Sequence, residues 1–345
     1  MTKLDLFCHV MPKPYFDRVQ SLASPRAANI LRRTAPIRAL WDLDERLRLM
    51  DRFDDYAQVL SLAAPPIEAL GEPPEAAELA RLANEGMAEL CSSHPDRFRG
   101  FVASLPMNDV DVALGEADRA VTELGAAGVQ IYTHVNGTPL DDPRFEPLFA
   151  RMAELERPVW VHPSRNSSWP DYPSESKSRY EVWWLFGWPY DTSVFMARLV
   201  FSGVLARNPG LRIVTHHAGG MVPFFSGRAG AGMDQFGART PEEEGELVST
   251  PLDGRPLDEF RKFYADTAVF GARHALECAL AFFGVDHMLF ASDMPFDPEP
   301  GQFIRDTIAD VDALEISDAD RARIYEGNAR ELLGTAVAGN GGGRT

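Results

Sequence analysis

An eight-unit α/β barrel, (β/α)8, is the fold this sequence predicts, and three observations predict it. Short apolar runs rich in β-branched residues alternate with helical stretches along the whole chain and give eight strands. Turns from helix into strand are short, which favours parallel pairing. Chemistry-bearing side chains, His9, His162, His217 and Asp293, recur at the C-terminal ends of these runs, the rim on which such barrels carry their sites. An open doubly wound sheet is the alternative, but no Gly-x-Gly-x-x-Gly follows the first strand.

Taken in order, Lys3 to Val10 is the first strand. Strict alternation puts Asp5, Phe7 and His9 on one face and Leu6, Cys8 and Val10 on the other, until Pro12 and Pro14 stop it. Residues 13–40 form a long connection of undefined structure. Leu43 to Phe53 reads as a helix capped by Asp42, with Leu43, Leu47 and Met50 as its apolar stripe. The second strand is Ala57 to Ala63, ended by Pro65-Pro66, and a long Ala/Leu/Glu-rich helix runs from Pro74 to Ser93. Phe98 to Leu105 is a strand, Val110 to Leu124 a helix closed by Gly125, Gly128 to Tyr132 a strand, and Arg144 to Leu155 a helix.

Pro158 to Val161 is the fifth strand and ends on His162. The polar and aromatic segment 163–185 is long for a connection, which marks it as a lid or wall. A helix over Thr192 to Leu205 and the turn Asn208-Pro209-Gly210 lead to the sixth strand, Leu211 to Thr215, which delivers His216 and His217. Alternation sends only one of that pair into the barrel mouth. After a loop over 237–256 come a short helix (Leu257 to Lys262), a strand (Tyr264 to Val269), a helix (Ala272 to Phe282) and a last strand, His287 to Ser292, ending on Asp293. Two helices, near 302–312 and 318–333, complete one domain over 1–333. The Gly/Ala-rich tail 334–345 is expected to be disordered.

Composition narrows the function. The 345 residues carry 34 Lys+Arg against 51 Asp+Glu, a net charge of −17, which disfavours nucleic acid and anionic membranes as partners. A small anionic substrate would then need local arginines. Three scattered cysteines, Cys8, Cys91 and Cys278, make no disulfide framework or thiolate metal motif. With no long apolar segment, a reducing, cytoplasmic location is expected.

Three imidazoles and a carboxylate from separate strand ends suit zinc or a similar divalent ion. The segments WDLDERLRLMD (41–51), GVQIYTHVNG (128–137), PVWVHP (158–163), LFGWP (185–189), HHAGGMVPFFSGR (216–228) and ASDMPF (291–296) carry a resemblance. In them the chain resembles the amidohydrolase superfamily, in the amidohydrolase-2 branch that includes aminocarboxymuconate-semialdehyde and γ-resorcylate-type decarboxylases. That resemblance implies a (β/α)8 barrel, a single divalent metal (zinc, or manganese) and non-oxidative C–C cleavage. It places His9, His162 and Asp293 on metal-ligand positions and His217, six residues before Pro223, on the acid/base position, with Asp293 as the other catalytic group.

By the same resemblance Arg46 matches a substrate-carboxylate arginine and Trp184 a substrate-contacting aromatic. Arg228 matches an arginine that enters the neighbour's site across a homodimer interface. His134, just past the fourth strand, is a rim residue expected to touch substrate, whereas Trp183 and Trp188 read as core packing. Without the resemblance, Arg46 reads as a surface ion pair.

One departure stands out. Members of the branch end their first strand on His-x-His or Glu-x-His, and here the residues are Phe7-Cys8-His9, so one ligand is lost. Asp5, deeper on the same face, and His217 are the candidate substitutes.

The leading expectation is a metal-dependent decarboxylase of an aromatic or unsaturated acid. A hydrolase or hydratase in the same barrel is the runner-up; Tyr132 and Thr133, standing where a binuclear hydrolase carries a carboxylated lysine, speak against the binuclear kind. A metal-free barrel that binds a ligand without turnover is the third reading, supported by Phe7 alone.

Overall fold

Eight parallel strands carry the chain once around a barrel in the computed structural model, which describes residues 1–22 and 25–334. The tail expected to be disordered lies, beyond Gly334, outside the described residues. We number the barrel strands β1 (Lys3–Val10), β2 (Tyr56–Leu62), β3 (Phe98–Ser104), β4 (Gly128–Tyr132), β5 (Val159–His162), β6 (Ile213–Thr215), β7 (Tyr264–Asp266) and β8 (Met288–Leu289). Each pairs in parallel with the next. Backbone bonds from Leu6 N–H to the Phe290 carbonyl (3.0 Å) and from His9 N–H to the Met294 carbonyl (2.9 Å) bring the last strand back to the first.

Two apolar layers follow from the alternation. Leu4, Leu6, Ala57, Val59, Val102, Trp160, Val214 and Leu289 pack into one cluster, floored by Ala329, Leu332 and Leu333 of the C-terminal helix Asn328–Leu333. Outward residues such as Val10, Leu60, Leu62, Val129 and Val161 belong to the larger layer between strands and helices. Gly128 opens β4 because β5 crowds it there: a Cβ would lie 2.4 Å from the Pro158 carbonyl oxygen.

Strict alternation fails in β1. The register against β2 slips between Asp5 and Cys8, a bulge that turns both Leu6 and Phe7 inward. Asp5 therefore faces the helix layer, opposite to His9, contrary to the sequence expectation. It accepts hydrogen bonds from Tyr56 Oη (2.6 Å), Ser292 N–H (3.0 Å) and the Ser292 hydroxyl, and is fully committed there. It cannot replace a ligand at the mouth.

The long connection after β1 is structured. It holds helices Lys13–Ser21 and Pro25–Thr34 and a short turn, Arg38–Leu40. Asp42 caps helix Leu43–Met50 as expected, accepting from Glu45 N–H at 3.2 Å. Among the described residues no helix is long and apolar enough to cross a membrane.

Candidate active site

Above the inner apolar layer, side chains from four strand ends converge: His9 from β1, His162 from β5, His216 just past β6, and Asp293 just past β8. Ring nitrogens of His9, His162 and His216 lie within 4.8 Å of one another, and His216, His217 and Asp293 form an overlapping group of the same tightness. Ligand atoms sharing an ion about 2.0–2.2 Å away sit roughly 3–4 Å apart, so the set is of a size to hold one. His9, His162, His216 and Asp293 are buried, while His217 is only half-buried.

Each of the three buried imidazoles has its Nδ1 occupied. His162 Nδ1–H donates to the Pro163 carbonyl at 2.7 Å, and His216 Nδ1–H donates to the Asp266 carboxylate. His9 Nδ1 lies 3.2 Å from Ser61 Oγ. In His162 and His216 the committed Nδ1–H turns Nε2, the nitrogen on which a metal would take the place of a proton, towards the shared centre. His9 Nε2 and His216 Nε2 are 3.0 and 3.4 Å from Asp293 Oδ1, yet the approaches are off the hydrogen-bonding axis. Neither nitrogen has a hydrogen-bond partner among the described residues. Leaving such a buried atom unpaired costs about 1–3 kcal/mol, and a divalent cation among these donors would satisfy both. The donor set fits a metal.

Charges in the cluster divide by neighbour. Burial works against ionisation of Asp293, but His216 and His9 hold its carboxyl well below the usual carboxylate range. Burial likewise opposes a charged His216; Asp266 and Asp293 overcome it and raise the imidazole to about 9. His162 is pushed well down by burial and by the neighbouring imidazoles. Burial, with His216 beside it, lowers His217 to about 4, so His217 is a neutral base at neutral pH. Its Nδ1–H donates to the Ala268 carbonyl at 3.1 Å, leaving Nε2 free to accept a proton.

The backbone explains how two successive histidines reach one place. His217, Ala218, Gly219 and Gly220 are all left-handed (φ 55°, 55°, 76° and 64°), closed by Gly220 N–H to the His217 carbonyl at 3.0 Å. That turn stacks the rings of His216 and His217, centroids 3.8 Å apart, instead of sending them to opposite faces. Non-glycine residues pay roughly 1–2 kcal/mol for that conformation, and Asp293 is also left-handed at φ 65°. Strained residues of this kind cluster at working sites.

Other sequence-selected residues fall elsewhere. Arg46 is neither a surface ion pair nor at the mouth: it is buried in the helix layer behind β1. It donates from Nε to Gln58 Oε1 (2.8 Å) and from Nη1 to the carbonyls of His9 (2.7 Å) and Ala39 (3.1 Å). Trp184 is over a third exposed, and its indole donates to Glu181 at 2.8 Å. Four residues on, Trp188, expected to be core packing, has its ring 5.4 Å from His162 and parallel to His217 at 6.5 Å. His134 lies in a small hairpin (134–139), accepts from Gly137 N–H at 3.0 Å and stacks on Trp169 at 4.8 Å. Arg228 is exposed on the short helix Ser226–Ala229, and its guanidinium has no partner among the described residues.

Sequence reasoning missed Asp266 and Ser61, the residues that orient His216 and His9. The signal for Asp266 was a carboxylate at the end of β7; Ser61 gave none. It also missed Phe270 and Phe296, whose rings lie 5.3 Å from His217 and 5.5 Å from His9. With Trp188 they make an aromatic border around the imidazoles.

Comparison with known proteins agrees with the geometry. Residues 8–335 match the sequence family described as amidohydrolase. The chain is 36% identical over 306 residues to a γ-resorcylate decarboxylase of Rhodococcus jostii (strain RHA1), covering 84% of this chain and 87% of that one. It is 32% identical over 297 residues to the 2-amino-3-carboxymuconate-6-semialdehyde decarboxylase of Dictyostelium discoideum, covering 85% and 77%. Among solved structures, the dihydroxybenzoic acid decarboxylase of Polaromonas sp. JS666 with bound manganese and the inhibitor 2-nitroresorcinol superposes with a TM-score of 0.76. That pair shares 28% identity and covers 96% of each chain.

Proposed function

The chain belongs to the amidohydrolase family, and from that premise we propose that it is a metal-dependent, non-oxidative decarboxylase of an aromatic carboxylic acid. The observation that carries this reading is the meeting of three oriented imidazoles and Asp293 beside Trp188, Phe270 and Phe296. Planar substrates suit an aromatic border of this kind. His9, His162 and Asp293 would hold the ion, which when bound supplies positive charge to fix a substrate oxygen. Nitrogen and oxygen donors without a thiolate suit zinc or manganese, and the Polaromonas relative holds manganese.

Loss of CO2 returns the bonding electron pair to the ring, and one proton takes the carboxyl's place on carbon. His217 is the group that moves this proton. It is the half-buried imidazole of the cluster, with Nε2 free and Nδ1 anchored, so it takes a proton from the substrate or solvent and delivers it to carbon. Burial keeps water from competing at the deeper groups.

The protein works as a homodimer in this reading, with Arg228 of each subunit serving the other's anionic substrate. Exposed Leu185, Phe186, Tyr190, Phe224 and Phe225 support an interface beside Arg228. The two segments touch: Met221 N–H donates to Ser193 Oγ at 2.8 Å. Free cysteines at Cys8, Cys91 and Cys278 fit a cytoplasmic location.

A CO2-release screen over ortho-hydroxybenzoic acids, with zinc and manganese supplied in turn, tests the reaction. His217→Asn is expected to lower turnover by roughly 10²–10⁴-fold and to leave metal content unchanged. Hydration or hydrolysis products without CO2 would replace this reading with the hydrolytic one.

A further inference from the structure

We infer that His216 is a metal ligand, standing in from the sixth strand for the ligand that the first strand of this chain cannot supply. The inference rests on the proposed metal site and goes beyond it in assigning the coordination position.

Phe7 is the starting point. The β1 bulge turns it into the barrel next to His9, fully buried, and its ring has no donor atom. It lies face to face with the His216 imidazole, centroids 3.9 Å apart and planes 18° from parallel. Phe7 therefore packs as a flat support under His216 and occupies the space through which a longer polar residue on β1 would reach. The other face of His216 is covered by His217 at 3.8 Å. Held between two rings, the imidazole can only slide or spin in its own plane.

Asp266 stops that in-plane motion. Its Oδ2 takes the His216 Nδ1–H, while its Oδ1 accepts from Ala218 N–H (3.0 Å) and Ala268 N–H (3.1 Å). A carboxylate pinned by two backbone amides fixes both tautomer and direction of the ring, an arrangement that raises the basicity of a metal-bound histidine. The nitrogen left over, Nε2, is buried, has no hydrogen-bond partner among the described residues, and lies within 4.8 Å of the donor nitrogens of His9 and His162. It also sits 3.4 Å from Asp293 Oδ1. His217 lacks this arrangement: its Nδ1 is held only by a backbone carbonyl, and it is less deeply buried than His216. The left-handed turn thus separates two roles that one histidine could not fill, His216 towards the ion and His217 towards the substrate.

The test needs no substrate. X-ray absorption of the zinc-loaded wild-type protein should count three imidazoles on the ion; two would overturn the assignment. Zinc affinity, read by competition with a chromophoric chelator, should fall roughly 100-fold or more in His216→Ala, more than the loss of an orienting partner alone, and by less than about threefold in His217→Asn. The double variant Phe7→His/His216→Ala should regain most of the lost affinity, because the two side chains are in direct contact and a histidine at 7 returns a donor to the same space. Wild-type zinc affinity in a folded His216→Ala protein would sink the inference while leaving the metal-dependent reading intact. A wild-type protein that binds neither zinc nor manganese would sink both.

Discussion

Glu68 is buried in the short turn Ile67–Ala69 after β2, and its Oε1 has no partner among the described residues. Burial pushes its carboxyl from 4.5 up to about 8. A raised acid holds its proton longer folded than unfolded, so its contribution to stability is complete below pH 4.5 and is lost as pH climbs towards 8. Within that window the slope is on the order of 1.4 kcal/mol per pH unit. Glu68→Gln should remove it, so urea unfolding of both proteins at pH 5 and pH 8.5 should show the variant gaining relative to wild type at the higher pH. Parallel behaviour at both pH values would mean that Glu68 is charged when folded. At this scale the sequence showed which residue types cluster but not which way they turn. His9, His162 and Asp293 were legible because each lies at or shortly past the C-terminal end of a strand. Only the left-handed turn at 217–220 decides that His216 points inward beside His217, and a register slip decides that Asp5 does not.

Between elements, the helix Leu43–Met50 is tied to the barrel by one side chain. Arg46 carries hydrogen bonds to β1 at His9, to β2 at Gln58 and to the turn at Ala39. The chain continues from Gln58 Nε2 to Tyr56 Oη (3.1 Å) and from Tyr56 to Asp5 (2.6 Å), which in turn receives Ser292, the neighbour of Asp293. A single buried network thus backs two of the residues at the mouth. Arg46→Met should destabilise the fold by about 2–4 kcal/mol, since buried acceptors lose charged donors, and should lower metal affinity through His9. A substrate-binding arginine would behave differently, raising KM with stability unchanged, so denaturant melts and KM of the one variant distinguish the two. Strand and helix limits were readable to within a few residues because prolines, glycines and the Asp42 cap punctuate them. The helices within 13–34 were not, although Lys13–Ser21 packs against helix Pro73–Ser93 and buries Tyr15, Phe16 and Val19.

On the scale of the whole molecule, the net charge of −17 repels an anionic substrate, and the described fold keeps Arg46 away from the mouth. Arg228 sits beyond it, exposed, with its guanidinium unpaired among the described residues. Turns fill 216–225, and helix begins only at Ser226. These turns lie against the start of helix Gly187–Ser202 and leave Phe224 77% exposed. An apolar patch of this kind with a free arginine at its border suits a two-fold contact, in which each copy presents the same surface to the other. In the proposed dimer Arg228 would meet the partner's substrate rather than its own. Mixing Arg228→Ala subunits with His217→Asn subunits, each expected to be nearly inactive alone, tests this arrangement. If the arginine acts across the interface, one of the two sites in a mixed dimer contains both native residues, and up to about half of the native activity per mixed dimer returns. If subunit exchange is verified by mass and no activity returns, Arg228 serves its own site or none, and sedimentation showing a monomer would remove the interface altogether.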